Sequence, residues 1–519
     1  MLSDPVPDDL FACDASIVED VLTGRAHAVC VLGDALEVLR SLPSNTFHAG
    51  IADPPAGIGM MSREWDDYRR SRNCADVERE DVGGRFSRCA PEMGRRGRER
   101  FVAAMTPIFA EILRVLRPGA LCPVWAYPGT AGWTQIALED AGFRMYPPGA
   151  IFHLFGQGWN KSPSQIRPGL EVWWLAQKPW LRTQAANVER WGCGGMFPEE
   201  GRQVTSEDLN GGAYSHGGRV PTSVTISHLD GCVRRGAKQV LSDGHHPGQR
   251  GADGMFSTTG GGGLAGTDGG ERYMGDDGTE TVDDYLCFDG CPVAVLDAQS
   301  GTLVSGANPT RRMSPKTRTT YSEFHGKAEC VPARGEDAGG ASRFFSVLAP
   351  EPFYYAAKIS PSEAAAGCSH LLWARDTTRE SGWRPVDLAE YKALQRDGKV
   401  QLATGNIHPT RKSARLTAHL ARLSCPPGGV VINPFAGSGG EAVGTLVAHL
   451  EPEKRLRVVS IEQNQDYHAI LEARTCFVAA NHERFARRVR SAAKSAPAPV
   501  GDVVRASRRT KAVQGKLFE

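Results

Sequence analysis

The sequence predicts an α/β fold of Rossmann-like type, built on a parallel sheet, and three observations carry this. The apolar run Val430–Asn433 leads into Pro434-Phe435-Ala436-Gly437-Ser438-Gly439, then into Glu441–Leu450 and Arg457–Glu462. That order reads as strand, glycine turn, helix, and a second strand ending in a carboxylate, the layout of a nucleotide-type binding unit. A second apolar run, Phe47–Ala52, stops at Asp53-Pro54-Pro55-Ala56-Gly57; proline fixes φ and cannot donate to a ladder, so a strand ends there. Between further strand-like runs, Phe101, Met105, Ile108, Phe109, Ile112, Leu113 and Leu116 recur with the period of a helix.

Element by element, Val29–Leu32 and Phe47–Ala52 read as buried parallel strands joined by a helix near Ala35–Leu42. The helix Phe101–Leu116 stops at Arg117-Pro118-Gly119, and Leu121–Ala126 is the next strand. Ala131–Ala141 is a helix halted by Gly142; Ile151–Leu154 and Glu171–Ala176 are strands. These make a first block, residues 18–180. From Trp191 to about Gly278 the chain is dense in Gly, Ser and Asp, including Gly260-Gly261-Gly262-Gly263, so residues 181–345 read as an insertion with flexible parts. Residues 346–488 form the second block, its well-packed pattern returning near Arg422, and 489–519 is a basic tail expected to be mobile. Ligands bind at the carboxyl ends of parallel strands, so the two blocks must share one sheet. The insertion then emerges from the rim that carries the site. No internal repeat points to a solenoid.

Composition limits the alternatives. With 60 basic and 59 acidic residues, the net charge of +1 gives no global pull toward nucleic acid, so any such binding rests on local patches. No 18-residue apolar run occurs, which argues against a membrane span, and MLSDPVPDDL has none of the features of a signal peptide. Thirteen scattered cysteines in so long a chain fit reduced thiols in a cytoplasm.

Asp53-Pro54 offers two pure acceptors, a carboxylate and a carbonyl, each able to take one hydrogen of an aromatic amine. This would draw the nitrogen toward tetrahedral geometry and stabilise the positive charge that develops there. The surrounding segments are VCVLGDALEVLRSLPSNTFHAGIADPP, IHPTRKS, PPGGVVINPFAGSGG, VVSIE and QNQDY. In these the chain resembles the β-group of DNA amino-methyltransferases, in which the catalytic tetrapeptide precedes the cofactor loop. RVLRPGALCPVWAYPGTAGWT, HLFGQGWNKS, EVWWLAQKP, CPVAVLDAQSG and GKLFE are similar to a phage and prophage branch of that group. The resemblance spans most of the chain, least at 66–99 and 236–280.

The resemblance implies an S-adenosylmethionine-dependent methyltransferase fold with permuted motif order and an inserted target-recognition region. It assigns Asp53, Pro54 and Pro55 to catalysis on a base flipped out of double-stranded DNA. For S-adenosylmethionine it assigns Asn433, Phe435, Gly437 and Gly439 in the loop, Glu462 for the ribose hydroxyls and Asp34 for the adenine amine. Thr410 and Lys412, after His408, fall in the segment that anchors the ligand carboxylate. Asp34 also suits a helix cap, and Lys412 a solvated charge. The chain departs from the family at Ala56, where Tyr or Phe is usual, at Gly129 for Arg, at Asn433 for Asp and at Gly440 for Thr. Trp65 and Tyr68 are the candidates for the lost stacking ring.

An Asp-headed tetrapeptide implies adenine N6 as target, with cytosine N4 as the alternative. A degenerate relative that binds DNA without methyl transfer is the rival of another class. Methyltransferases for RNA or protein place the cofactor loop first, so the order here favours DNA. No P-loop or nuclease carboxylate cluster occurs, so any restriction enzyme is a separately encoded partner; the oligomeric state is open. Arginine-rich stretches at 63–72 and 85–100 suit phosphate contacts or solvated loops equally.

In the insertion, His228-x₃-Cys232 and Cys287-x₃-Cys291 are two ligand pairs of the kind zinc uses. They predict a structural zinc site at the base of the glycine-rich loop, in which His245 or His246 could substitute as a ligand; buried thiols are the plainer reading.

Overall fold

The structure is a computed structural model that describes residues 15–57, 95–154, 169–180, 182–201, 221–229, 232–241, 279–305, 337–348, 367–408 and 412–490. Its strands in chain order are β1 (Ala28–Leu32), β2 (Phe47–Gly50), β3 (Leu116–Ala126), β4 (Arg144–Leu154), β5 (Leu170–Gln177), β6 (Val224–Ser227), β7 (Val233–Leu241) and β8 (Thr279–Leu286). There follow β9 (Leu303–Ser305), β10 (Asp337–Gly339), β11 (Ser346–Leu348), β12 (Leu372–Arg375), β13 (Trp383–Pro385), β14 (Leu402–Thr404), β15 (Val430–Asn433) and β16 (Arg457–Glu462).

The chain divides into two compact units. The first comprises residues 1–201, 222–230 and 348–491; the second comprises 202–221, 231–347 and 492–519. Residues 182–201 and β6 fall inside the expected insertion, yet they group with the first unit.

In the first unit the sheet order runs β1-β16-β15-β2-β3-β5-β4-β6. Strands from the two blocks interleave: β1, β16, β15, β2 and β3 are parallel neighbours, and β5 runs antiparallel between β3 and β4. Strand alternation sorts the side chains into two cores. Ala28, Cys30, Val431 and Val458 face one, while Val29, Val430, Ile432, Val459 and Ile461 face the other. Helices Ala414–Ser424, Gly440–Leu446 and Gln465–Ala480 supply the first core; Ala15–Thr23, Ala35–Ser41, Arg95–Val115 and Ala131–Asp140 supply the second. This is the α/β, doubly covered parallel sheet that the apolar runs imply.

Helices Gly440–Leu446 and Ala414–Ser424 approach so closely that a Cβ on Gly444 would meet Thr417 Oγ1 at 1.8 Å. Only glycine fits there.

The element ends shift in places. Leu116 opens β3 instead of closing the preceding helix, because it pairs with Phe47 at the start of β2. Regular structure returns well before Arg422, as the small antiparallel sheet β13-β12-β14. Its centre, Trp373, packs with Cys368 against Tyr467 and Ile470 of helix Gln465–Ala480.

The second unit holds an antiparallel pair, β7 and β8, in which Arg234 binds Asp283 at 2.7 Å. Helix Pro292–Ser300 presents Asp297, whose carboxylate accepts from the amide and hydroxyl of Ser342, and β9 pairs with β10.

Candidate active site

Three strand ends meet at the carboxyl edge of the sheet. β15 lies between β16 and β2, so the glycine turn after Asn433 has Glu462 on one side and the Asp53 loop on the other. The Asp53 loop is tied down along its length. Ile51 donates to Ile432, Ala52 exchanges hydrogen bonds with Pro123 and Trp125, and the Ala56 carbonyl accepts from buried Thr130 at 2.9 Å. The Asp53 carboxylate is thus delivered by backbone that the sheet itself holds.

The glycine turn is left-handed at Gly437 (φ 52°) and Gly439 (φ 80°). A Cβ at Gly437 would lie 3.0 Å from the His408 ring, so bare backbone lines the turn. Glu462 accepts from the Gly437 amide at 2.7 Å and from the Asn464 amide at 2.8 Å. Burial pushes its carboxyl up to about 7 against those hydrogen bonds. Asn433 is fully buried, and neither Oδ1 nor Nδ2 of its side chain has a hydrogen-bond partner among the described residues. An amide stranded in this way at a strand end points to a ligand that is not present. Phe435 packs against the second core.

Asp34 caps helix Ala35–Ser41, its Oδ1 accepting from Leu36 at 2.9 Å and Glu37 at 3.1 Å. Gly33 also donates to the Glu462 carbonyl at 3.0 Å, so Asp34 leaves β1 beside the end of β16. His408 packs edge-on against Tyr467, with ring centroids 4.4 Å apart. Thr410 lies outside the described residues, as do Trp65, Tyr68, the arginines of 63–72 and those of 85–94.

Lys412 is not a solvated charge. It is 5% exposed, and its Nζ lies 3.0 Å from Asp53 Oδ2 and 3.7 Å from the centroid of the Trp125 ring. Trp125 Nε1 donates to Glu171 Oε2 at 2.7 Å; Glu171 Oε1 is 2.8 Å from His153 Nδ1, and His153 Nε2 is 2.8 Å from the Ser227 hydroxyl. Sequence reasoning misses Trp125 and Glu171, which lie in the quoted segments ALCPVWAYPG and EVWWLAQKP. Their only sequence signal is a polar side chain inside a strand of buried type.

Electrostatics follow from this crowding. Burial raises the Asp53 carboxyl against the pull of Lys412, and burial with the Asp53 charge pushes Glu441, on the facing helix, up to about 8. Glu171 goes the other way, to about 2: burial opposes ionisation, but His153, Lys412 and Trp125 outweigh it. Burial disfavours the Lys412 ammonium, yet Asp53, Glu171 and Glu441 together hold it above the ordinary lysine range. One buried cation therefore serves three carboxyls, of which Asp53 alone bonds it directly.

Three of the residues picked out as zinc ligands come together within one unit. Cys232, Cys287 and Cys291, all in the second unit, bring their sulfurs within 4.8 Å of one another, while His228 belongs to the first unit. A tetrahedral ion with bonds of about 2.3 Å sets sulfurs about 3.8 Å apart, so a contraction of at most about an ångström would close the group. The Phe288 amide donates to Cys232 Sγ at 3.3 Å, and hydrogen bonds with Cys232 and Cys291 drive the Cys287 thiol far above its ordinary range.

No family model matches the chain, and no curated protein matches it significantly. Among solved structures, similarity extends to a candidate DNA modification methylase from Thermus thermophilus complexed with S-adenosyl-L-methionine. There, identity is 12%, coverage 87% of this chain and 93% of that one, and the TM-score 0.32. The PvuII cytosine-N4-specific DNA methyltransferase gives 9%, 90% and 92%, with TM-score 0.33, and the M1.HpyAVI–SAM complex gives 9%, 86% and 99%, with TM-score 0.30. At these scores the fold assignment rests on the strand order and its two cores.

Proposed function

We propose that this protein is a DNA methyltransferase acting on the exocyclic amine of a flipped base in duplex DNA, with adenine N6 as its target. The observation that carries the reading is the adjacency of β15 and β2. It sets a glycine turn with a stranded Asn433 amide next to a half-buried carboxylate followed by a proline carbonyl. S-adenosylmethionine, when bound, supplies an electrophilic methyl group on a sulfonium. The residues that would hold it are Asn433, Phe435, Gly437 and Gly439 at the turn, Glu462 at the ribose hydroxyls and Asp34 at the next strand end.

The chain's own part in the chemistry is to prepare the amine. Its nitrogen lone pair is delocalised into the ring, and acceptance of its two hydrogens by the Asp53 carboxylate and the Pro54 carbonyl localises it again. Both acceptors are fixed before the base arrives, so no reorganisation is needed as positive charge grows on nitrogen. The base must leave the helix stack to reach them. Asp53 in place of Ser at the head of the tetrapeptide is what favours adenine, by resemblance alone.

We also infer a structural zinc ion held by Cys232, Cys287 and Cys291, on the convergence of their sulfurs, with His228 as the fourth ligand by its spacing from Cys232 in the sequence.

The decisive experiment incubates the protein with duplex DNA and labelled S-adenosylmethionine, then identifies modified nucleosides by mass spectrometry. N6-methyladenine formed by the native protein and absent with Asp53→Ala is the expected result. N4-methylcytosine overturns the base; 5-methylcytosine, or no transfer at all, overturns the function.

A further inference from the structure

The segment holding Lys412 is, by resemblance, a ligand-carboxylate anchor. In the structure its ammonium lies beside the Asp53 carboxylate. The ammonium is buried, bonded to Asp53 Oδ2 at 3.0 Å and seated 3.7 Å over the Trp125 ring. Trp125 is held in turn through its indole N–H by Glu171, and Glu171 by buried His153. The backbone around Lys412 is equally confined: a Cβ on Gly440 would meet the Lys412 carbonyl oxygen at 2.9 Å.

We propose that Lys412 is a positioning residue for methyl transfer, a fixed counter-ion that keeps Asp53 ionised and turned so that Oδ1 takes the hydrogen of the target amine. The inference rests on the functional reading above. Asp53 faces Glu171 on β5 and Glu441 on helix Gly440–Leu446, and burial and the Glu171 charge favour its neutral form. Arg474, on helix Gln465–Ala480, acts on Glu441 and donates to the Ser438 carbonyl. Lys412 is thus the one described cation bonded to the Asp53 carboxylate. A protonated Asp53 is a donor at that oxygen and cannot accept from the amine, so loss of Lys412 removes the acceptor without removing the carboxyl.

The test compares native protein with Lys412→Met and Lys412→Arg. Three readouts are taken: turnover against pH, S-adenosylmethionine affinity by calorimetry, and the Asp53 carboxyl titration by infrared difference against Asp53→Asn. Lys412→Met should lower kcat at pH 7 by about 100-fold while affinity stays within about threefold, as expected for a lost preorganised charge. Its acid limb and its Asp53 titration should both move up by at least about one pH unit. Lys412→Arg keeps the charge on a bulkier planar group. It should keep both titrations near the native value and recover part of the rate, and it serves alone if Lys412→Met does not fold.

An affinity loss matching the rate loss would make Lys412 a ligand anchor and overturn the inference. So would an unchanged acid limb and Asp53 titration in Lys412→Met, or an Asp53 titration in Lys412→Arg as high as that of a neutral replacement. If the native protein transfers no methyl group, the functional reading fails by itself, and the infrared titration still decides whether Lys412 governs Asp53.

Discussion

Leu32 and Glu462 are in-register partners on neighbouring parallel strands, and the next residue, Gly33, donates to the Glu462 carbonyl at 3.0 Å. The ends of β1 and β16 are thereby locked level, so Asp34 and Glu462 leave the sheet side by side. Two acids thus border one flank of the glycine turn, far apart in sequence and fixed by the β1–β16 ladder and the hydrogen bond that extends it.

Glu462 carries a pH dependence. Burial raises its carboxyl from the ordinary range near 4.5 to about 7. The sign follows: between those values the folded state keeps the proton that the unfolded state has lost, so folding stability falls as pH rises from about 4.5 to about 7 and is level above that. Ribose hydroxyls donate best to the ionised form, so S-adenosylmethionine affinity should rise between pH 6 and 8. Calorimetry across that range, repeated with Glu462→Gln, should show the rise in the native protein and a flat, weaker profile in the variant.

Gly437→Val should cost the methyl-donor site and some stability. A side chain at φ 52° pays about 1–2 kcal/mol for the left-handed conformation, and its Cβ meets the His408 ring at 3.0 Å. The expected outcome is a folded protein, by circular dichroism, with a lowered melting temperature and no measurable S-adenosylmethionine binding.

Zinc should be found at one equivalent per chain by elemental analysis of purified protein. Cys287→Ser should lose it, and a chelator should lower the melting temperature of the native protein while leaving that of Cys287→Ser unchanged. Native protein free of metal after growth in zinc would remove the site.

The sequence is most legible where chemistry is local. The glycine turn, the carboxylate ending β16 and the strand ended by Asp-Pro-Pro are contiguous patterns, and each carries a backbone reason for its residues. The Asp34 cap is one of two readings of a single acid, and the hydrogen bonds to Leu36 and Glu37 establish it, both through Oδ1. The environment of Lys412 is not legible in the same way. Its partners Asp53, Trp125 and the Glu171 behind them sit on three different strands or strand ends, and only the completed sheet order brings them together. His153 has no partner pattern in the sequence and suits a core or a surface position equally; it is buried, and its hydrogen bonds to Glu171 and Ser227 give it a role in holding Trp125.

The interleaving of strands also dictates when this protein can fold. β1 and β2 are made early, yet β16 and β15 must lie between them. Until residue 462 has been synthesised, both early strands present open ladder edges to the cell. At ordinary elongation rates the wait is on the order of half a minute. The long stretch of chain between β2 and β15 therefore acts as a timer on assembly of the sheet.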